Sequence, residues 1–187
     1  DPDIQINFTP GTHQRGMQST LEKQAGFTMA TWQHRPESQG YVKAKSTDPF
    51  AHPEIQPNYL AADTDQQVIL AVIKICRKLA QTEALKPFVV EETFPSVACQ
   101  NDDDLLNSAR EFGQSIYHLM GTCRMGNRDD RTTVVDAELR VHGIKNLRVI
   151  DASIMPTMVS ANLNAAVMMI AEKGADMVLG KTAAKAH

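Results

Sequence analysis

Tyr117-His118-Leu119-Met120-Gly121-Thr122-Cys123-Arg124-Met125-Gly126, Leu147-Arg148-Val149-Ile150-Asp151-Ala152-Ser153-Ile154-Met155-Pro156 and Ser160-Ala161-Asn162-Leu163-Asn164-Ala165-Ala166 are the three clusters on which the reading of this chain turns. The first is a glycine-rich turn that carries a histidine. The second reads as a short β-branched strand, Arg148 to Ile150, that ends in an acid and two small residues. Small residues at a strand end let another group approach the backbone closely. The third reads as a polar, small-residue entry to an apolar helix that begins at Asn162 or Leu163. Such a start offers free N–H groups and a partial positive charge. The spacing predicts a ligand-facing edge with a histidine beside it.

Upstream, Asp3-Ile4-Gln5-Ile6-Asn7-Phe8 alternates with period two and predicts a half-buried strand. Thr9 to Gly26 is polar and aperiodic, a loop. Phe27 to His34 and Gly40 to Ala44 predict two further strands, and three strands without an intervening helix argue for an antiparallel sheet. Thr47 to Tyr59 is proline-rich and reads as a structured loop. A helix is expected from Asp63, with Thr64 able to cap it and an apolar stripe through Val68, Val72, Cys76 and Leu79. Phe88 to Glu92 is read as a further strand. Asn101 caps a second helix whose first turn holds Asp102, Asp103 and Asp104, and Gly113 ends it. Val134 to Val141 reads as a hairpin arm, and a last helix covers about Asn162 to Leu179. The tail from Gly180 reads as frayed. Sheet first and helices later is an α+β pattern.

The 187 residues carry a formal net charge of −3, with 42% apolar and 22% charged residues. The chain can therefore bury a core, and with no basic stripe interleaved with aromatics it is not read as a nucleic-acid binder. Cys76, Cys99 and Cys123 are too widely spaced for a zinc site or a disulfide framework, so no metal and a reducing compartment are expected. No apolar run approaches the roughly 20 residues that a membrane helix needs. The expected location is the cytoplasm, membrane-peripheral at most. There is no GxGxxG after a first strand, and Asp1-Pro2-Asp3 resembles neither an initiation site nor a signal peptide.

YHxxGTCRMG, VVDxxLRVHGIxNLRVIDASIMP and NLNAxxMMIAEKxAD, in this order, resemble the C-terminal part of the glucose–methanol–choline (GMC) oxidoreductases. Within that family they are most similar to the choline dehydrogenase and alcohol dehydrogenase branch. The resemblance continues upstream through Arg35-Pro36-Glu37-Ser38-Gln39-Gly40 and Pro57-Asn58-Tyr59-Leu60. It implies an antiparallel sheet with flanking helices over residues 1–125, part of a substrate-binding domain. Residues 126–187 would return to a Rossmann-like FAD-binding domain as its C-terminal strand and helix. It also implies FAD as cofactor, a small-molecule primary alcohol as substrate, and hydride transfer from the alcohol to the flavin. The competing reading is a stable, non-catalytic binding module derived from such an enzyme. The family places its GxGxxG fingerprint near the N-terminus, so the resemblance implies that this chain is a C-terminal fragment. Self-association, or pairing with a missing N-terminal region, is expected of either reading.

His118 matches the family's histidine. The resemblance makes it a catalytic base or a stabiliser of the alkoxide, whereas a lone histidine can also be structural. Asn162 matches a position that faces the same substrate oxygen, and its plain reading is a helix N-cap. Asp151 and Ala152 match flavin contacts at the strand end, and Asp151 alone reads as a turn aspartate. Asn162, Leu163 and Asn164 would present the helix start to the flavin. His142 and the methionines at 155, 158, 168 and 169 read as structural or packing residues. Cys123 reads equally as packing or reactive, and Trp32 as packing, with a pocket wall as its alternative.

Overall fold

The computed structural model describes residues 2–13 and 20–181. The fold is α+β, and the chain divides into two compact units, residues 1–40 with 55–115 and residues 41–54 with 116–187.

In the first unit, β1 (Ile4–Thr9) and β2 (Thr28–Gln33) form an antiparallel ribbon in the register Ile4 opposite Gln33 through Thr9 opposite Thr28. Phe8 stacks on Phe27 at its far end, with ring centroids 5.1 Å apart. Helix α1 (Asp63–Ala80) packs on β2 and on α2 (Asp102–Phe112), and Val72 and Leu105 are wholly buried. Three side chains anchor these elements by bonding to backbone. Asp65, 2% exposed, accepts the amides of Glu37 (2.9 Å) and Ser38 (2.8 Å). Burial pushes its carboxyl up. The Ser38 hydroxyl, those two amides and the Gln33 side chain outweigh burial and hold it below the ordinary aspartate value. Arg77 on α1 grips Glu92 through two guanidinium nitrogens and donates to the carbonyls of Ser96 and Cys99, fixing the loop before α2. Asn101 caps α2 as expected, its Oδ1 accepting from Asp104 N at 2.8 Å.

β3 (Tyr41–Lys43) does not extend the first ribbon; it pairs with β4 (Glu54–Gln56), which rises from the proline-rich stretch read as loop. The predicted strand Phe88–Glu92 is absent. Pro87 sits at the start of a 3-10 turn, Lys86–Phe88, and both Phe88 and Val90 are exposed, so no alternating face is buried there. Thr64 does not cap α1. Ala62 holds that position with no side-chain bond. Part of the Thr9–Gly26 loop and the tail after Lys181 lie outside the described residues.

The second unit has little regular structure and one apolar core. Val135, Leu139, Ile154, Met155, Leu163 and Ile170 form it, with Met120, Met125, Ile150, Ala152 and Val167 packed around them. Arg148–Ile150 falls short of the predicted strand. Arg148 makes a single antiparallel bridge with Arg140, and Val149 N donates to Leu139 O at 3.1 Å. A strand is defined by its ladder, and among the described residues these are its only rungs. Helix α3 spans Asn164–Val178. Its Gly174 lies against Ile150, where an added Cβ would stand 2.3 Å from the isoleucine Cγ2.

Candidate functional site

All six residues singled out from the sequence (His118, Asp151, Ala152, Asn162, Leu163 and Asn164) fall in the second unit. The histidine segment and the Asp151 turn are joined by backbone bonds. The amides of Gly121, Cys123 and Met125 donate to the carbonyls of Ala152 (3.3 Å), Ser153 (2.8 Å) and Ile154 (2.8 Å). Side chains tie in the third cluster, because Leu163 is buried in the same core as Met120, Ala152, Ile154 and Met155. The three motifs therefore converge on one core.

Two left-handed residues bracket His118, Tyr117 with φ 62° and Gly121 with φ 83°. Glycine takes that conformation freely, while an aromatic residue does so only under constraint from its surroundings. The pair sets the direction in which the histidine leaves the chain. His118 is half-buried and has no hydrogen-bond partner among the described residues, so both ring nitrogens are available to a ligand.

Asp151 is exposed and opens a 3-10 turn, Ala152–Ile154, by accepting the Ser153 amide at 2.7 Å. The turn reading of this aspartate is thus realised, and its second carboxylate oxygen has no partner among the described residues. The Ala152 N–H is likewise without an acceptor among the described residues.

Asn162 is not a helix cap. Leu163 occupies that position in helical conformation and no side chain caps α3, so the helix starts two residues later than Asn162. The Asn162 side chain is exposed and unbonded among the described residues. The Asn164 side chain reaches forward along its own helix, its Nδ2 donating to Met168 Sδ at 3.9 Å. The first intrahelical donor is Val167, to Leu163 O. The amides of Asn164, Ala165 and Ala166 consequently point out of the helix end with its positive dipole.

The donor set suits a planar group rich in acceptors. Uncapped helix amides, a free backbone N–H and an amide side chain can serve its carbonyl and ring-nitrogen atoms, and the second oxygen of Asp151 can accept from a hydroxyl. A flavin with its ribityl chain has this combination, so the residues fit FAD. The backbone parts of Gly121, Cys123 and Ser153 are not legible from sequence, where Cys123 is weighed only for its thiol, because they are played by amides and carbonyls that every residue has. Cys123 is half-buried with a free thiol, and His142 bonds to Gly126 O at 3.2 Å, in keeping with a structural part. No group of metal-ligating side chains occurs among the described residues, and no helix there is long and apolar enough to cross a membrane.

Comparison with known proteins places these features. Human mitochondrial choline dehydrogenase is 43% identical over 183 residues, which is 97% of this chain and 30% of that protein. The chain thus spans about a third of the length of the curated relatives it matches. Pyridoxine 4-oxidase from Mesorbium loti shares the fold, with a TM-score of 0.83 over 97% of this chain and 35% of that one, at 24% identity. Formate oxidase of Aspergillus oryzae, in a structure concerned with modification of its FAD, superposes with a TM-score of 0.76 at 32% identity, covering 85% of this chain and 28% of that one. Residues 36–171 match the C-terminal family of the GMC oxidoreductases, and the chain belongs to that family.

Proposed function

We propose that this chain is the C-terminal part of an FAD-dependent oxidoreductase that oxidises a primary alcohol, choline-like or other, to the aldehyde. Residues 1–125 would contribute to the substrate-binding domain and residues 126–187 to the flavin-binding domain. One observation supports the reading most: the histidine turn, the Asp151 turn and the uncapped start of α3 share one core, with their free polar groups unspent on the protein itself. Choline dehydrogenase as a 43% identical relative supports the substrate class.

Bound FAD would supply the hydride acceptor. His118 takes the hydroxyl proton of the alcohol at a ring nitrogen, or holds the developing alkoxide as an imidazolium. Asn162 donates its amide N–H to the same oxygen; it cannot act as a base, so proton transfer stays with His118. The amides at the start of α3, from Leu163 and Asn164 onward, favour negative charge on the group they face. Asp151 and the Ala152 amide hold the cofactor in place rather than taking part in chemistry.

Stopped-flow reduction of the complete protein by a saturating alcohol, on samples checked for flavin content, tests these roles. His118→Ala slows reduction by about 100- to 1,000-fold with FAD retained. Asn162→Ala costs less, because one hydrogen bond is lost and the base remains. Asp151→Ala lowers flavin content more than it lowers the reduction rate. A His118→Ala protein that reduces its flavin at the wild-type rate across the pH range would remove the histidine from the chemistry.

A further inference from the structure

Away from these residues, the second unit carries an open hollow of about 840 Å³ whose charged lining is mainly basic: Arg128, Arg140, Lys145 and Arg148 against Asp136 and Glu138, with His142 at its wall. That excess runs against the chain's net charge of −3.

The two acids do little to offset it. Asp136 Oδ1 is consumed inside its own turn by the amides of Glu138 (2.9 Å) and Arg140 (2.8 Å). Glu138 meets Arg140 at only 3.9 Å, with both side chains more than half exposed, a pairing worth little. Asp130 is not part of the lining, and its Oδ1 is held by the Thr132 amide and hydroxyl. Arg128 and Lys145 have no carboxylate partner among the described residues. Arg140 and Arg148 are direct partners in an antiparallel bridge. Like charges opposite one another across a β-pair repel unless an anion lies between them.

The frame under these charges is firm. Val141 N donates to Leu147 O at 3.0 Å, His142 N to Val134 O at 2.9 Å, and the His142 ring to Gly126 O. Val135 and Leu139 beneath are buried. Arg148 donates from its Nε to Glu138 O at 3.1 Å, which holds that guanidinium in place. A fixed turn that carries three arginines and a lysine offers enough cationic donors to meet several phosphate oxygens at once.

We propose that this hollow is a binding site for a multiply charged phosphate group, either the oligophosphate of a soluble ligand or a phosphorylated lipid headgroup. Its volume suits a ligand of nucleotide size. The proposal does not rest on the flavin reading, since none of its residues belongs to the candidate site.

Calorimetric titration of the full protein with inorganic pyrophosphate at low ionic strength provides the test. Arg128→Ala combined with Lys145→Ala removes two exposed, unbonded cations without touching the core, and weakens binding by about tenfold. Lys78→Ala combined with Lys86→Ala removes the same charge from the first unit and changes affinity less than about twofold. Equal losses in both double variants would mean diffuse attraction, and an absence of binding at about 10 mM pyrophosphate would leave no site; either overturns the proposal. Co-sedimentation with phosphatidylcholine vesicles that carry either phosphatidylinositol bisphosphate or an equal charge of phosphatidylserine separates the two sources. Sedimentation that needs the bisphosphate and is lost in the Arg128/Lys145 variant supports the site with a lipid as its ligand. Pyrophosphate binding without sedimentation supports it with a soluble one.

Discussion

The elements of the first unit are anchored by side chains that reach for backbone, whereas in the second the histidine segment and the Asp151 turn are joined by backbone that reaches for backbone. Asp65, Arg77 and Asn101 each satisfy peptide groups of a loop or a helix end, and regular helices and strands lie between them. In the second unit, segments without regular structure bond to one another around Val135, Ile154 and Met155. The candidate site residues are all in the second. Irregular backbone leaves amides and carbonyls free to face a ligand, which a completed helix or sheet does not. The unit with more regular structure and the unit that carries the candidate site are thus built by different means.

The largest effect expected from breaking this contrast is at Asp65. Asp65→Ala strands the Glu37 and Ser38 amides, at a cost of about 3 kcal/mol, read as the shift in a urea midpoint. Hydrogen exchange should quicken in α1 and leave α3 unchanged. Equal quickening in α3 would show that the two units unfold as one, and the comparison would lapse. The same carboxylate makes stability depend on pH. Its folded value lies below the ordinary aspartate value, so its contribution is complete above that ordinary value. The contribution disappears as pH falls through the folded value, and Asp65→Asn should flatten the acid limb of the stability curve. An unchanged acid limb would count against the anchor.

Gly174→Ala comes next and strikes the second unit. The new methyl meets Ile150, and overpacking of about 2 kcal/mol outweighs the gain in helix propensity of about 1 kcal/mol. Net destabilisation of about 1 kcal/mol is the expected thermal-melt result, and it should shrink when Gly174→Ala is measured in an Ile150→Ala background, which lacks the clashing Cγ2. A glycine-to-alanine gain in stability would show that α3 is free to slide on its neighbour. Asn101→Ala is the smallest, at about 1 kcal/mol or less, confined to the exposed start of α2. Amide exchange of Asp104 reports it, and protection equal to wild type would mean that the three acidic residues of that turn hold the helix without the cap.

What was legible in the sequence is what local chemistry determines. The alternation of Ile4, Ile6 and Phe8, the cap at Asn101 and the stop at Gly113 are each encoded within a few neighbouring residues, and each element formed near its expected bounds. β3 and Arg148–Ile150 depended on partners elsewhere, and their own residues do not say which partner is on offer. The start of α3 moved to Asn164 because Asn162 looks like a good cap, while the burial of Leu163 determines where the chain turns. The site motifs could be read from residue types. The left-handed backbone at Tyr117, which aims His118, could not, since nothing about a tyrosine marks that conformation.

The alternate amides of Gly121, Cys123 and Met125 face the Asp151 turn, while the Arg124 carbonyl, on the other edge of the same segment, accepts from Val134 at 2.8 Å. Such a segment has a parity. Adding or removing one residue between Gly121 and Met125 would swap its two edges and send every donor to the wrong neighbour. Adding two would preserve the edges but shift His118 along the turn. Length in this stretch is therefore fixed far more tightly than composition, whereas Asn127 to Arg131 beyond it, exposed throughout, can grow or shrink without disturbing either edge.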